Sequence, residues 1–305
     1  MALSLSKSKG LVGLDITATS VKLLEFKPVK KKGLKVVSYT VEPLPANAVD
    51  EKNLQDVEAV GEAIRRAVKR SGTRTKNCAV AVPSAMVITK VIQMPADLKE
   101  HDMEMQIQLE ADQYIPYSLE EVNLDFHVMG PSADASNMVD VLLAASRSEN
   151  VEDRTAAAEI GGMNVRVVDI EPYTMEASFE LISHQLPENG EGQTVAVLDI
   201  GASMTSLCVL RDQKLIYTRE QPFGGKQLTE EIMRRYGLSY EDAGRVKRVG
   251  GLPENYEPEV LEPFRDLMVS KPIDSCNFSF QQTRMTMLTR LCSVVVQPAY
   301  QALSS

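Results

Sequence analysis

One fifteen-residue element occurs twice in this chain, far apart, and it limits the folds open to it. Val12–Phe26 reads VGLDITATSVKLLEF, and Ala196–Leu210 reads AVLDIGASMTSLCVL. Leu14, Asp15, Ile16, Ala18 and Leu23 recur as Leu198, Asp199, Ile200, Ala202 and Leu207, and Thr19 is closely matched by Ser203. Each copy is an apolar run, an aspartate, a turn of small residues and a returning apolar run, which is the pattern of a β-hairpin. Small turn residues let backbone N–H groups come close to an anion. An aspartate at a strand end can hold a divalent cation through water, because Mg²⁺ keeps much of its hydration shell. A single copy is no more than a hairpin turn. Two copies flanking other material are a far stronger signal, since such a pair of hairpins can close on a triphosphate from both sides.

The chain between and after the copies divides by pattern. Residues 8–83 form a first unit. Its third strand is LKVVSYTVEPLP, its helix over Asp50–Arg70 carries Val57, Val60, Ile64 and Val68 at helical spacing, and its last strand is NCAVAVP. Residues 84–170 alternate as β-α-β-β-α-β and read as an inserted subdomain. Its methionines Met94, Met103, Met105, Met129 and Met138 read as core filler or as a partner groove. Residues 171–193 supply a connecting helix over Thr174–His184 and a linker. Residues 194–269 return to strands, then to a helix opened by Gly224-Gly225 and another capped by Ser239 with Asp242 at its third position.

Composition removes several classes of function. A length of 305 residues suits about two domains. A net charge of −9 argues against a nucleic-acid coat, and the absence of Trp with 5% aromatics argues against a base-stacking platform. Four scattered cysteines and three scattered histidines form neither a zinc pattern nor a disulfide framework. The longest apolar stretch, Ala79–Ile88, is short for a bilayer span and contains Pro83, and no signal peptide is legible, so a cytoplasmic location is expected. The basic run from Lys27 to Gly33 reads as a solvated turn, with contact to anionic lipid as the lesser alternative.

The hairpins and what surrounds them resemble the actin-like ATPase superfamily. Asp15-Ile16 with Ser20 and Lys22 is similar to its first phosphate loop, and Asp199-Ile200-Gly201 with Thr205 to its second. Asp169-Ile170-Glu171-Pro172 resembles its first connecting segment, and Gly224-Gly225 with the helix from Ala243 to Arg248 resembles the region beside ribose and base. Within the superfamily, GLDITATSVKLLEF, QLEADQYIPYSLEEVNLDF, VVDIEPY and GGKQLTEEIMRRYGLSYEDAGRVKR resemble the PilM family of type IV pilus assembly proteins, relatives of FtsA, over about residues 8–269. The resemblance implies an actin-like, ribonuclease H-like duplicated two-domain fold with an FtsA/PilM-type insert and an incomplete second domain.

For the site, the resemblance implies ATP with Mg²⁺. Asp15, Thr17, Ser20, Lys22, Asp199, Gly201, Ser203, Thr205, Gly224, Gly225 and Lys247 would bind nucleotide, Asp15 and Asp199 would hold Mg²⁺ through water, and Glu171 is the candidate catalytic residue. Each has a plainer reading: turn residues for the aspartates, a solvated strand lysine for Lys22, a helix start for Glu171, a solvated helix face for Lys247. For function, it implies a scaffold at the inner face of the inner membrane with weak or no ATPase activity. That scaffold would bind the cytoplasmic N-terminal tail of PilN, other pilus platform proteins and the motor ATPases, reaching the membrane only through partners. The alternatives are a small-molecule kinase of the superfamily and an FtsA-like cell-division protein; the kinase lacks an added Asp motif for its base, and FtsA's amphipathic C-terminal helix is not legible in Thr286–Ser305.

There are departures from the pattern. Thr17 stands where the superfamily has Gly, Gly244 stands where an acidic residue often follows the Ala, and the second connecting segment and Gly-rich adenosine loop are missing; the loss of that loop implies weak or absent nucleotide binding by the chain as it stands. Residues 270–305 contain no Gly and no Glu and show no useful helix or strand period. The neighbouring reading frame can encode a Phe-rich run, an Asp-rich run and a Gly-rich run in that order, so a frameshift near Val269 is expected, with a divergent genuine tail as the alternative.

Overall fold

The computed structural model describes residues 10–29, 33–133, 135–274 and 285–291. Two compact units emerge: residues up to Ile16 with Ser20–Glu171, and Thr17–Thr19 with Pro172 onward.

The first unit is built on a five-stranded sheet. Strands β1 (Val12–Ile16), β2 (Ser20–Val29) and β3 (Gly33–Pro43) form an antiparallel meander. A tight hairpin of β4 (Val49–Asp50) and β5 (Asn53–Leu54) follows, with Glu51 and Lys52 at its tip in the left-handed region (φ 43° and 73°). The helix expected from Asp50 starts only at Val57, because these residues are spent on that turn. Asp56 caps α1 (Val57–Ser71) by accepting from the Ala59 N–H at 2.9 Å. β6 (Asn77–Val82) lies parallel to β1. The face of α1 carrying Val60, Ala63, Ile64 and Ala67 is buried on Val12, Leu14, Val21, Leu23, Cys78 and Val80.

The chain then leaves for the insert: β7 (Val87–Pro95), α2 (Glu100–Glu110), β8 (Val122–Pro131) and β9 (Met138–Arg147). These strands form a separate sheet of order β7-β9-β8 around Ile92, Met94, Met103, Ile107, Val141 and Leu143. Met94 and Met103 are core filler, whereas Met105 and Met129 are more than half exposed. The next two elements, α3 (Ser148–Ile160) and β10 (Asn164–Ile170), return to the first sheet. β10 pairs parallel with β6, giving the order β3-β2-β1-β6-β10. α3 packs so closely on α1 that a Cβ on Gly61 would fall 2.5 Å from Ile160. The stretch 84–170, expected as one insert, thus contributes to two sheets. The β-α-β-β part is the insert, and the final α-β is the crossover that completes the parallel half of the main sheet.

The second unit repeats the plan. After α4 (Glu171–Phe179), which starts and stops earlier than the Thr174–His184 expected, come β11 (Thr194–Ile200), β12 (Thr205–Arg211) and β13 (Lys214–Gln221) as a second antiparallel meander. Helices α5 (Gly225–Tyr236), α6 (Tyr240–Val249) and α7 (Glu262–Asp274) follow. The Ser239 hydroxyl accepts from the Asp242 N–H at 3.1 Å, so the expected cap of α6 is present. β14 (Met285–Leu291) pairs parallel with β11, and the order β13-β12-β11-β14 matches β3-β2-β1-β6. This shared order, three antiparallel strands and then a parallel one, is the duplication that the resemblance implies.

β14 corrects the reading of the tail as lacking a regular element. In MTMLTRL the apolar alternation slips at Leu288, which hides the strand from a period-two search. Residues 275–284 and 292–305 lie outside the described residues. Among the described residues, no helix is long and apolar enough to cross a membrane.

Candidate functional site

The second hairpin is a rigid, small-residue turn. Ile200 and Thr205 are paired across it, and the Gly201 N–H donates to the Met204 carbonyl at 2.8 Å. A Cβ on Gly201 would come within 2.9 Å of that carbonyl, so only glycine fits. The start of α5 clasps the turn from outside: the Gly225 N–H donates to Gly201 O at 2.9 Å and the Lys226 N–H to Ala202 O at 2.7 Å. A Cβ on Gly224 would lie 2.6 Å from both of those carbonyl oxygens. Gly224 and Gly225 thus hold the turn in shape. Thr205 does the same from the strand side: its hydroxyl is buried and donates to Phe223 O at 2.7 Å.

Lys247 reaches this region from α6. Its ammonium donates to Gly225 O at 2.8 Å and to the Thr229 hydroxyl at 2.6 Å. Burial pushes its pKa down to about 8, and the neighbouring Arg248 charge adds to the shift. Lys247 is therefore no solvated lysine. Thr229, its partner, was not expected from sequence; it lies on the same face of α5 as Gly225, one turn on, and its hydroxyl also donates to Gly225 O.

The first hairpin is built differently. Asp15 stands opposite Lys22 in the register, and the Lys22 ammonium donates to Asp15 Oδ2 at 3.0 Å, with Lys22 largely buried and Asp15 half exposed. At the aligned position of the second hairpin, Asp199 faces Ser206. In the first turn the Thr19 N–H donates to the Thr17 hydroxyl at 3.4 Å. Ser20 is buried at the start of β2, and Ser203 is half-buried in the second turn.

Glu171, the candidate catalytic residue, starts α4 and pairs with Lys52 at 2.5 Å. Behind them lies the buried Arg154. Its guanidinium donates to Lys52 O at 2.9 Å, to Ala81 O at 3.0 Å and to Asn150 O at 3.0 Å. Burial lowers the pKa of Arg154, while the carboxylates of Glu171 and Asp153 oppose that shift. Sequence reasoning missed Lys52 and Arg154, since no local spacing links a residue to one more than a hundred positions away.

A model of the type IV pilus assembly protein PilM family matches residues 13–291. The chain belongs to the PilM family. The match runs past residue 269, where the sequence resemblance was expected to end, and takes in β14. Among solved structures, the chain is similar to a PilM–PilN type IV pilus biogenesis complex, at 27% identity and a TM-score of 0.71, over 92% of this chain and 81% of that one. It is also similar to the ethanolamine utilization protein EutJ from Carboxydothermus hydrogenoformans (14%, TM-score 0.49, 91% and 75%) and to MreB 5 of Spiroplasma citri bound to AMPPNP (13%, TM-score 0.44, 92% and 85%).

In this PilM-family chain, Gly201, Gly224, Gly225, Thr205 and Lys247 are brought together around one turn, while Asp15 and Lys22 form a pair of their own. Among the described residues, no group of three or more His, Cys, Asp or Glu side chains converges on one point.

Proposed function

We propose that this chain is an ATP-binding scaffold of the type IV pilus assembly platform, working at the cytoplasmic face of the inner membrane by holding the N-terminal cytoplasmic tail of a PilN-type partner. The observation that carries this reading is the likeness, over 92% of the chain, to the PilM–PilN complex, together with the family match. The insert of β7, α2, β8 and β9 is the proposed docking element, because it adds a sheet of its own and leaves Met105, Leu109 and Met129 exposed. A peptide with the sequence of the partner's tail should be retained by the whole chain. It should be lost when residues 84–147 are replaced by a short linker, and equal retention overturns the assignment.

ATP is the proposed ligand of the hairpins. Asp199 would hold Mg²⁺ through water, Gly201 and Ser203 would face phosphate, and Lys247 would add positive charge beside Gly225. Asp15, Thr17, Ser20 and Lys22 are the proposed contribution of the first hairpin. Bound Mg²⁺ neutralises charge between phosphates, and ATP acts as a ligand that biases one conformation over another. Little turnover is proposed, because the carboxylate of Glu171 is already committed to Lys52. Calorimetry with Mg-ATP checks this: Asp199→Ala should lower affinity at least about tenfold. Equal binding by wild type and variant would remove Asp199 from the site.

A further inference from the structure

The basic run after Phe26 plays no part in the function above. β2 and β3 continue beyond the end of α1 as a two-stranded arm, with Phe26 opposite Val36, Lys27 opposite Lys35, Pro28 opposite Leu34 and Val29 opposite Gly33. Alternate pairs on a pleated ribbon point to opposite faces. Just inside the arm, Glu25 and Ser38 are paired and face α1: the Ser38 hydroxyl donates to Ser71 O at the helix end, and Glu25 accepts from the hydroxyls of Thr73 and Thr75. The register slips by one residue at Val37, but β2 runs on unbroken from Glu25, so Phe26 and Pro28, with their partners Val36 and Leu34, take the face turned away from α1, and Lys27 with Lys35 takes the other. The apolar face is open, with Phe26 36% exposed, Leu34 49%, Val36 50% and Tyr39 59%.

The charge around the arm is one-sided. From Phe26 to Val37 the sequence has five lysines and no acidic residue, in a chain whose net charge is −9. Lys27 and Lys35 stand directly opposite one another, an arrangement that costs stability unless an anion lies nearby. Lys69 at the end of α1, then Arg74 and Lys76, add to it, and no Asp or Glu occurs between Glu62 and Asp97.

We propose that this arm is a direct membrane contact, independent of any protein partner. It lies flat on an anionic bilayer with Phe26, Leu34 and Val36 in the boundary between headgroups and acyl chains, while Lys27 and Lys35 reach back to lipid phosphate. A bilayer suits the arm better than an acidic peptide does. A peptide strand added along the edge of β3 would leave the apolar face in water, whereas an interface takes up the apolar face and satisfies the lysines together.

The test is flotation of the full chain with vesicles of phosphatidylcholine alone and of phosphatidylcholine with about one-third phosphatidylglycerol. The chain should float with the anionic vesicles and not with the neutral ones, and high salt should weaken the binding. A Lys27→Glu, Lys35→Glu chain and a Phe26→Ser, Val36→Ser chain should each bind at least roughly tenfold more weakly. All four positions are exposed, so both variants should keep the wild-type circular dichroism and melting temperature. Failure to float with anionic vesicles, or equal flotation of wild type and both variants, overturns the proposal. Loss in the charge variant alone reduces the arm to electrostatic adsorption and overturns apolar insertion. Capture of wild type by polyglutamate without vesicle binding assigns the arm to a polypeptide partner and overturns it too.

Discussion

The first hairpin joins Ile16 to Val21 and the second joins Ile200 to Thr205, each across four residues. Their strands carry almost the same letters, yet the turns are held by different forces. In the second, glycine admits a backbone bond from Gly201 to Met204, and α5 grips the outside. In the first, Thr17 fills the corresponding position and its hydroxyl accepts from the Thr19 N–H. The aspartates differ in the same way. Asp15 is answered by Lys22, three ångströms away, while Asp199 faces a serine. Duplication kept the sheet, while the residue across from the aspartate is a lysine in one hairpin and a serine in the other. The lesson is that a repeat identifies the scaffold, and its departures show where the two copies stopped doing the same thing.

The largest break in this comparison should come from Gly224→Ala. Its new methyl would meet two backbone carbonyls at 2.6 Å, and neither can swing away as a side chain would. A loss of about 2 kcal/mol or more is expected in urea denaturation. Thr17→Gly, at the position aligned with Gly201, should change stability by less than about 1 kcal/mol, because the first turn does not need a missing Cβ. Equal effects of the two substitutions would dissolve the contrast between a clasped turn and an open one.

Next in size is the difference between the two aspartates. Asp199→Ala should weaken Mg-ATP binding by about tenfold more than Asp15→Ala does, since the Lys22 ammonium already offsets the charge of Asp15. Parallel calorimetric titrations of the two variants read this ratio, and a larger loss at Asp15 would reverse the proposed division of roles.

The smallest expected effect is a pH dependence at Lys247. Its pKa in the folded chain is about 8 against an ordinary 10.5, so the unfolded chain binds more protons between those values. Wild-type stability should therefore rise as pH climbs from 8 to 10.5, relative to a Lys247→Met chain. The gain should be roughly 1 kcal/mol after allowing for partial solvent contact. Parallel curves for the two chains would mean that Lys247 is not held in a desolvated position.

Much of this architecture could be read from the residues because it rests on local pattern. The hairpins, α1 with its spaced valines, and the Ser239 cap all follow from spacing within a few turns or strands. The end of the insert could not be read that way. α3 and β10 look the same whether they belong to the insert or to the main sheet, and only the pairing of β10 with β6 decides. Strand β14 was hidden by a slip in alternation, and the Glu51-Lys52 turn by the lack of any glycine or asparagine in a left-handed pair. Within the site, the resemblance set Gly224-Gly225 and the helix carrying Lys247 beside ribose and base; the structure adds a bond from the Lys247 ammonium to Gly225 O. Thr205 was expected at phosphate by the same reasoning, but its hydroxyl is turned onto Phe223.

Arg154 binds the carbonyl of Ala81, two residues before the polypeptide turns out toward the insert at Pro83, and that of Asn150, three residues after it comes back at Arg147. One planar side chain thus pins both jambs of a doorway. The material beyond it can grow, shrink or change its sequence with little effect on the main sheet, provided that its two ends still arrive at the width the guanidinium sets. A lineage adapting to a new partner is therefore free to rebuild the room and has to keep the door.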